Sequence, residues 1–533
     1  MADEEPTSAW SPLRYPVFRA LWIASLVSNI GTWMQNVGGV WLMSSLSPSP
    51  FLVALMQTAT SLPVFLVGIP AGALADIVDR RRLLLCTQGL MLIAAAVLST
   101  VTIAEAIDAR GLLALTFILG LGTALNTPTW QAVMPDLVSR RELSAAVALN
   151  GVTVNVGRAV GPALAGVVVA AAGPGAVFLL NTLSFVGVLV VLYRWPAKFA
   201  ESVLPAERVL GATRAGLRYI RYAPEIRAVL VRAGVFIAAG SALWALLPVL
   251  ARRELGLGAA GFGLLLGCIG LGAISGATVL QRVRQQYSLD QVLVAATLMF
   301  ALVAAASALL SNLAVLSTVM VAGGVAWIML MASFNTAAQN TVPTWVRARA
   351  LGAYLLVFQG GLALGGIIWG IIATRAGTRT ALIIAAVALV GGLAATPRWP
   401  MASGASLDLR PSLHWPEPRI EIEARVDEGP VLVTVEYRIV PGKENDFVAA
   451  MHALGRVRRR DGAIQWGVYH DTAEPSRYVE TFLVESWVEH LRQHQRGTVA
   501  DRGIEDRVRA LHVGNAPPQI SHLIHTRSKE KVS

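Results

Sequence analysis

The sequence predicts an all-α polytopic membrane protein followed by a soluble α+β domain. Of 533 residues, 55% are hydrophobic and 14% are charged, and the mean hydropathy is +0.58. Apolar stretches near the roughly 20 residues that cross a bilayer recur up to residue 397. The composition then becomes polar, and all eight histidines follow residue 400. These observations separate a membrane part from a soluble tail.

The apolar stretches predict 12 transmembrane helices in two six-helix halves. We expect the N-terminal half in residues 1–196 and the C-terminal half in residues 226–397, joined by a polar, Arg-rich connection over 197–225. Within that connection, 211–222 is typical of an amphipathic helix on a membrane surface. The predicted spans cover about 18–43, 51–67, 83–103, 112–132, 143–172, a sixth that ends near 196, 227–251, 260–281, 289–310, 313–335, 348–373 and 378–396.

The two halves resemble each other at a constant offset. Phe18-Arg-Ala returns as Ile226-Arg-Ala, and Gln131 to Pro135 returns as Gln339 to Pro343, both 208 residues later. A constant offset over several landmarks indicates duplicated halves, as in transporters with parallel repeats.

Basic residues orient the predicted helices. Residues 1–397 carry 25 Lys and Arg against 14 Asp and Glu, whereas residues 398–533 carry 19 of each. With mid-helix Arg158 set aside, 19 of the other 24 basic residues of the membrane part fall on one side. The positive-inside rule makes that side cytoplasmic, so we expect both termini in the cytoplasm and the helices in the inner cell membrane. The bilayer explains the basic excess, and no nucleic-acid partner is expected.

A glycine-rich, basic turn lies between the second and third spans, over residues 68–82. Its residues Gly72, Asp76, Arg80 and Arg81 resemble the loop motif between helices 2 and 3 of the major facilitator superfamily, although Val78-Asp79 replaces a family glycine. The resemblance implies the major facilitator fold and a secondary transporter that works by alternating access. A simple topology signal is the other interpretation.

The fifth span carries the clear mid-helix charge, Arg158. With Gly161, Pro162 and Gly166 it resembles the helix 5 motif of major facilitator drug–proton antiporters. Small residues allow close helix packing and proline bends a helix, which suits a helix that repacks during transport. A simple packing helix is the alternative. Arg232, one to two turns into the seventh span, could extend its side chain to the membrane surface.

Amides and tryptophans in the spans predict a cavity for a bulky, partly aromatic substrate. Arg158 would favour an anionic or neutral molecule. Taken singly, each of these polar residues also fits a role in helix packing. The predicted cavity residues are Asn29, Trp33, Gln35, Asn36, Asn126, Trp130, Asn155, Asn335 and Gln339.

Proton coupling is implied by the family resemblance alone. The membrane part has neither histidine nor a mid-helix carboxylate, so Asp76 and Asp136 at the cytoplasmic rim are the available titrating groups. No stretch resembles a phosphate-binding loop, so an ATP-driven pump is not expected. Neither a cofactor nor catalytic residues are expected.

The tail begins with a predicted linker, 398–430, and its pattern over 431–526 reads as β-α-β-β-α-β, a ferredoxin-like order, before a short end at 527–533. The segments around Val435 to Lys443, Trp466 to His470 and Glu485 to His490 resemble antibiotic biosynthesis monooxygenase-like domains, which implies dimerisation through this domain. Trp466, Tyr469, His470 and Trp487 could line a ligand pocket or form a core. His490 and His494 lack a Cys or carboxylate cluster, so no metal is expected.

A transporter fused to such a tail resembles the transmembrane secretion effector branch and exporters of the enterobactin type. The leading hypothesis is therefore an exporter of a bulky small molecule, such as a siderophore, a drug or a secreted metabolite. A membrane-tethered monooxygenase-like enzyme and a ligand sensor acting through the tail are the alternatives. Twelve duplicated helices exceed what an anchor needs, which favours transport.

Overall fold

The computed structural model describes residues 10–139, 141–195, 209–401, 408–412, 415, 428–513 and 517–525. The Asp76 side chain, most of the predicted linker and residues 527–533 lie outside this description. The chain divides into two compact units. The first comprises 1–206, 231–334 and 352–400, and the second comprises 207–230, 335–351 and 401–533.

Long helices make up the described chain up to residue 395. They are α1 (Pro16–Leu46), α2 (Pro50–Ile77), α3 (Arg80–Ile103), α4 (Ala109–Leu137), α5 (Leu143–Arg194), α6 (Val209–Tyr222), α7 (Pro224–Val249), α8 (Ala259–Gln286), α9 (Leu289–Leu309), α10 (Leu313–Asn340), α11 (Arg347–Ala376) and α12 (Thr378–Gly392). Ten helices within the described residues are long and apolar enough to cross a membrane.

Helix α5 is 52 residues long and contains one break. Gly173 lies inside it with a φ of 77°, a left-handed conformation that glycine adopts without steric cost. The break falls at the Gly-Pro-Gly turn that the sequence predicts between the fifth and sixth spans. The two parts of α5 therefore correspond to two predicted helices.

Within the first unit, helices of the two predicted halves pack through small residues. A Cβ built on Gly166 of α5 would lie 2.8 Å from the Gly263 Cα of α8. Along α2 and α11, Thr58 Oγ1 donates to the Ala363 carbonyl at 2.7 Å, and a Cβ on Gly366 would lie 2.8 Å from the Ala54 carbonyl oxygen. These approaches need residues without bulky side chains, since helices in lipid associate largely by close packing.

The second unit contains a four-stranded antiparallel sheet. Its strands are β1 (Val431–Arg438), β2 (Gln465–His470), β3 (Arg477–Val484) and β4 (Gln519–Ile524), in the spatial order β2-β3-β1-β4. Helices α13 (Glu444–Asp461), α14 (Trp487–Arg496) and α15 (Val499–Arg509) complete it. Alternate residues of β1, such as Val433 and Val435, are buried against Phe447 and Met451 of α13.

The sequence pattern predicts a helix over Gly503 to His512, whereas α15 begins four residues earlier, at Val499. Thr498 and Asp501 form a reciprocal capping box at its start, and this cap fixes the first turn. A polar start of this kind gives no apolar periodicity, so the hydrophobic pattern alone places the helix too late.

Candidate functional site

The basic turn holds the ends of three helices together. Asp79 caps α3, because its Oδ1 accepts from the Arg82 backbone N–H at 2.8 Å. Arg80 Nη1 donates to Asp136 Oδ2 at 3.2 Å and to the Ala132 carbonyl at 3.1 Å, both on α4. The turn therefore links the start of α3 to the end of α4.

Arg81 anchors the same turn to the end of α5. Its Nε donates to the Leu192 carbonyl at 3.1 Å and its Nη2 to the Tyr193 carbonyl at 2.5 Å. These carbonyls belong to the last turn of α5, where unpaired backbone acceptors favour a cation. Gly72 lies in α2 with no described atom within 4 Å of the position of an added Cβ. The function of Asp76 in the family motif stays a prediction.

The helix 5 motif brings α5 against α1. A Cβ on Gly161 would lie 2.6 Å from the Trp33 Cβ, so this contact needs glycine. One turn away, the guanidinium of Arg158 lies 5.5 Å from the Trp33 ring centroid. Arg158 Nε is buried and has no hydrogen-bond partner within the described residues. A cation over an aromatic face has chemistry that suits an electron-rich ligand.

Two predicted cavity asparagines lie beside this group. Asn29 Nδ2 donates to Thr153 Oγ1 at 3.3 Å and to the Ser25 carbonyl at 2.8 Å. Asn155 is exposed and donates to the Gly151 carbonyl at 2.9 Å. Together with Trp33 and Arg158 they form the α1–α5 cluster. Asn36 is half-buried on α1.

Three other predicted cavity residues make contacts between helices. Gln35 is buried, and its Oε1 accepts from Asn181 Nδ2 at 2.6 Å. Asn126 Oδ1 accepts from Gln88 Nε2 at 3.1 Å, and Trp130 Nε1 donates to Asn150 Oδ1 at 3.1 Å. These contacts fit the helix-packing interpretation that the sequence left open.

Asn335 and Gln339 belong to the second unit. Both are exposed near the end of α10, and Gln339 Nε2 donates to Asn335 Oδ1 at 2.7 Å. Their side chains lie one turn apart on one helix face, as their spacing predicts.

The sequence did not predict a cluster of side chains near the C-terminal end of α1. We call it the Trp41 cluster. The Trp41 ring stacks on Phe262 of α8 at 5.7 Å, and the Arg252 guanidinium lies 5.1 Å from the Trp41 ring centroid. Arg253 Nη2 donates to the Ser47 carbonyl at 3.2 Å. The signal was present in the sequence, because Arg252-Arg253 is a basic pair on the side that carries few cations.

Arg232 differs from its prediction. It is buried rather than extended to a surface, and it pairs with Asp290 in the first turn of α9. The carboxylate neutralises the buried cation, so extension toward water is not needed.

In the tail, two of the four predicted ligand residues serve the core. Trp466 Nε1 donates to the buried carboxylate of Glu480 at 2.9 Å, and Trp487 belongs to the apolar core. Tyr469 is exposed, and His470 stacks on Tyr478.

The histidine pair of α14 is close-packed. His490 Nε2 lies 3.3 Å from His494 Nε2, and no group of three or more His, Cys, Asp or Glu within the described residues has metal-binding geometry. Burial is the main cause that lowers the pKa of His490, to about 3, and the charges of the nearby His522 and His494 lower it further.

Long apolar helices that meet through glycines, with an arginine whose Nε has no hydrogen-bond partner among the described residues, are typical of a multi-pass membrane transporter. Residues 7–530 match the family described as transmembrane secretion effector, and the chain belongs to this major facilitator family. The family is one of transporters rather than enzymes, as the sequence predicts.

Similar proteins include siderophore transporters. The staphyloferrin A transporter of Staphylococcus aureus is 26% identical over 264 residues, which cover 49% of this chain and 66% of that protein. The enterobactin exporter EntS of Shigella boydii is 28% identical over 267 residues, covering 49% of this chain and 62% of that protein. The chain thus spans slightly less than two thirds of the length of these relatives.

Solved structures support the fold. A bacterial homologue of the lysosomal transporter Spinster aligns over 72% of this chain and 96% of its own, with a TM-score of 0.57 at 16% identity. The nucleoside transporter NupG aligns over 72% and 100%, with a TM-score of 0.59 at 13% identity. The major facilitator fold that the sequence predicts is therefore confirmed for the helical part.

Proposed function

We propose that the protein is a secondary transporter that exports a bulky small molecule by alternating access. The observation that carries this proposal is the way α5 meets α8 and α2 meets α11 through glycines and small residues. Such contacts can separate and re-form at one end while they persist at the other. The membership in a secretion family and the similarity to siderophore transporters support the outward direction.

The proposed topology has 12 spans with both termini in the cytoplasm. Helix α1 is 31 residues long, and the break at Gly173 divides α5 into two lengths that can each cross a bilayer. Adding α1 and counting α5 twice raises the ten apolar helices to twelve. The distribution of basic residues supports the orientation in the inner membrane.

In this topology the Trp41 cluster closes the periplasmic end. Trp41 and Ser47 come from the first half, whereas Arg252, Arg253 and Phe262 come from the second. The cluster joins the two halves, so it must separate for release of substrate to the outside. We therefore assign this structure to a state of the transport cycle that is closed at the periplasmic end.

The α1–α5 cluster is the proposed substrate contact, and an anionic substrate suits it best. Arg158 has no ion pair among the described residues, and a charge in the membrane is costly without a function. Trp33 offers an aromatic face beside it. A siderophore, which presents carboxylate or catecholate oxygens, has the matching chemistry, while a drug or another secreted metabolite remains within the proposed substrate class.

Proton coupling would use the rim carboxylates. Asp136 is paired with Arg80, and both side chains are about one-third exposed, at 31% and 35%. Protonation of Asp136 would release Arg80 and loosen the link between α3 and α4. Asp76 is the second proposed group, on the basis of its position in the family motif.

For the tail we propose a ferredoxin-like domain of the monooxygenase-like type that serves assembly rather than catalysis. The antiparallel order β2-β3-β1-β4 supports this fold. Leu523, Leu432 and Leu483 form one cross-strand row, and Leu523 is 53% exposed. Such a row supports dimerisation, whereas the use of Trp466 and Trp487 in the core weakens the enzyme and sensor alternatives.

The test is flux through the purified protein in liposomes. Enterobactin, staphyloferrin A and ethidium are the probes, each measured with and without a proton gradient. We expect gradient-driven accumulation of at least one anionic siderophore and little transport of ethidium. Absence of flux for every probe, from protein that elutes as a single species, would contradict the proposal.

A further inference from the structure

A contact network in the second unit joins the C-terminal domain to two connections between membrane helices. Helix α6 precedes α7, and residues 341–346 connect α10 to α11. The start of α7, the end of α10 and the start of α11 all belong to the second unit. A contact that fixes the two connections therefore restrains the ends of three membrane helices.

The first contact is electrostatic. Arg218 of α6 donates from Nη2 to Glu489 Oε1 of α14 at 3.2 Å, and Arg496 binds the same carboxylate through Nη1 at 2.5 Å and Nη2 at 3.2 Å. Burial alone would raise the pKa of Glu489, but Arg496 and Arg218 lower it, so the carboxylate is ionised. Glu489 is only 13% exposed, and a buried charge-assisted pair of this kind fixes geometry.

The second contact is aromatic. Tyr219 of α6 is buried and meets Trp345 of the α10–α11 connection edge to face at 5.6 Å. The Arg496 guanidinium lies 4.6 Å from the Trp345 ring centroid, and the Arg460 guanidinium lies 5.4 Å from that of Tyr219. Tyr219 and Trp345 are thus each covered by one arginine of the domain.

The arginines of the domain are themselves held in place. Arg460 binds Asp461 at 2.7 Å and Asp501 at 2.6 Å, and Arg496 also donates to the Asp461 carbonyl at 2.6 Å. Helix α6 in turn packs on α11, since a Cβ on Gly216 would lie 2.9 Å from the Arg349 Cβ. The contact surface is therefore preorganised on both sides, unlike a chance meeting of flexible side chains.

We propose that the C-terminal domain is a brace that fixes the ends of α7, α10 and α11 through Arg218, Tyr219 and Trp345. The brace includes the end of α10 that carries Asn335 and Gln339, so release of the domain changes the proposed transport pathway. This second part rests on the proposed transport function, whereas the brace itself does not.

The first test is amide hydrogen exchange of the full-length protein in nanodiscs. Trp345→Ala, Arg218→Ala and truncation after Pro400 are compared with the unmodified chain. We expect exchange to rise at least tenfold in residues 224–230 and 335–340. Arg214→Ala is the matched control on an exposed position of the same helix, and Trp345→Phe keeps an aromatic face; both should stay within twofold.

Unchanged exchange in these two segments after truncation would overturn the brace, even if the protein transports normally. The second test is flux of the siderophore probe through the same variants, where we expect at least a threefold fall. Raised exchange with unchanged flux would overturn the link to transport. If the unmodified chain transports no probe, hydrogen exchange alone still tests the brace, because exchange does not depend on transport. Each variant must elute as a single species, so that raised exchange reports loss of docking and not misfolding.

Discussion

At the scale of single residues, we propose that Arg158 is a binding group rather than a structural one. Its guanidinium rests on Trp33, and its Nε finds no acceptor among the described residues. A cation kept without a carboxylate destabilises a helix bundle in lipid. The bundle should therefore be more stable without it.

Replacing Arg158 by Met should raise the thermal midpoint by a few degrees and weaken binding of an anionic siderophore at least tenfold. Arg158→Lys should bind with intermediate affinity, because it retains charge but loses the planar fork. Thermal unfolding and ligand titration of the purified variants measure both effects. A less stable Arg158→Met variant with unchanged affinity would show that the residue serves packing.

His490 should make the stability of the tail sensitive to acid. Its folded pKa of about 3 lies below the ordinary 6.5, with Arg458 as well as His522 and His494 opposing its protonation. The unfolded chain therefore binds a proton that the folded domain does not, so stability is full above pH 6.5 and falls as the pH drops toward 3. The loss is at most about 1.4 kcal/mol per pH unit for one group.

This prediction is checked by amide exchange of α14, corrected for intrinsic rates, between pH 7 and pH 5. His490→Phe should flatten the pH dependence, and exposed His525→Gln should leave it intact. Equal pH slopes in the His490→Phe variant and the unmodified chain would exclude His490 as the source.

At the scale of elements, the α5–α8 crossing depends on paired glycines. Gly166→Ala places a Cβ 2.8 Å from the Gly263 Cα and 3.1 Å from the Ala259 carbonyl, so the helices must move apart. We expect a loss of about 1–3 kcal/mol, seen as a lower thermal midpoint. Gly151→Ala on the same helix meets no atom within 4 Å and should be neutral or slightly stabilising. Similar midpoints for the two variants would contradict this view of the crossing.

The rim of α2, α3 and α4 gives a separate prediction. Asp76→Asn should impair transport while the protein still folds, because the resemblance to the family motif implies that this aspartate acts in gating. Arg80→Ala should also impair transport, since it breaks the contact with Asp136. Flux and gel-filtration profiles of both variants provide the check. Normal flux through Asp76→Asn would reduce the motif to a topology signal.

The elements themselves could be predicted where a local pattern decides them. Apolar runs define the long helices, and Gly173-Pro174-Gly175 marks the break in α5 because glycine there takes a positive φ. The start of α15 was misplaced because a cap, rather than an apolar stripe, determines it. Local sequence signals therefore predict whether a segment forms a helix, but they misplace helix ends that a polar cap determines.

Pairings across the chain could not be predicted. Gln35 meets Asn181 and Arg232 meets Asp290 only after folding, and a single sequence records neither distance. Arg158 could be singled out because an intramembrane charge is rare, but its position over Trp33 depends on the glycines that draw α1 and α5 together.

At the scale of the whole molecule, we propose that two duplicated halves alternate between closure at either end. The Trp41 cluster, whose residues come from both halves, is the proposed periplasmic closure. If the halves must separate there, a covalent link at that position should stop transport without unfolding the protein.

The most direct measurement is flux through a chain carrying Trp41→Cys and Phe262→Cys, with Cys86 and Cys268 replaced by Ser. The rings of Trp41 and Phe262 lie 5.7 Å apart, so their replacements are close enough for a short bifunctional thiol cross-linker. Each single-cysteine chain serves as control. We expect flux of the siderophore probe to stop on linkage by a disulfide-containing cross-linker and to return on reduction. Flux that persists in fully cross-linked protein would contradict alternating access between these halves.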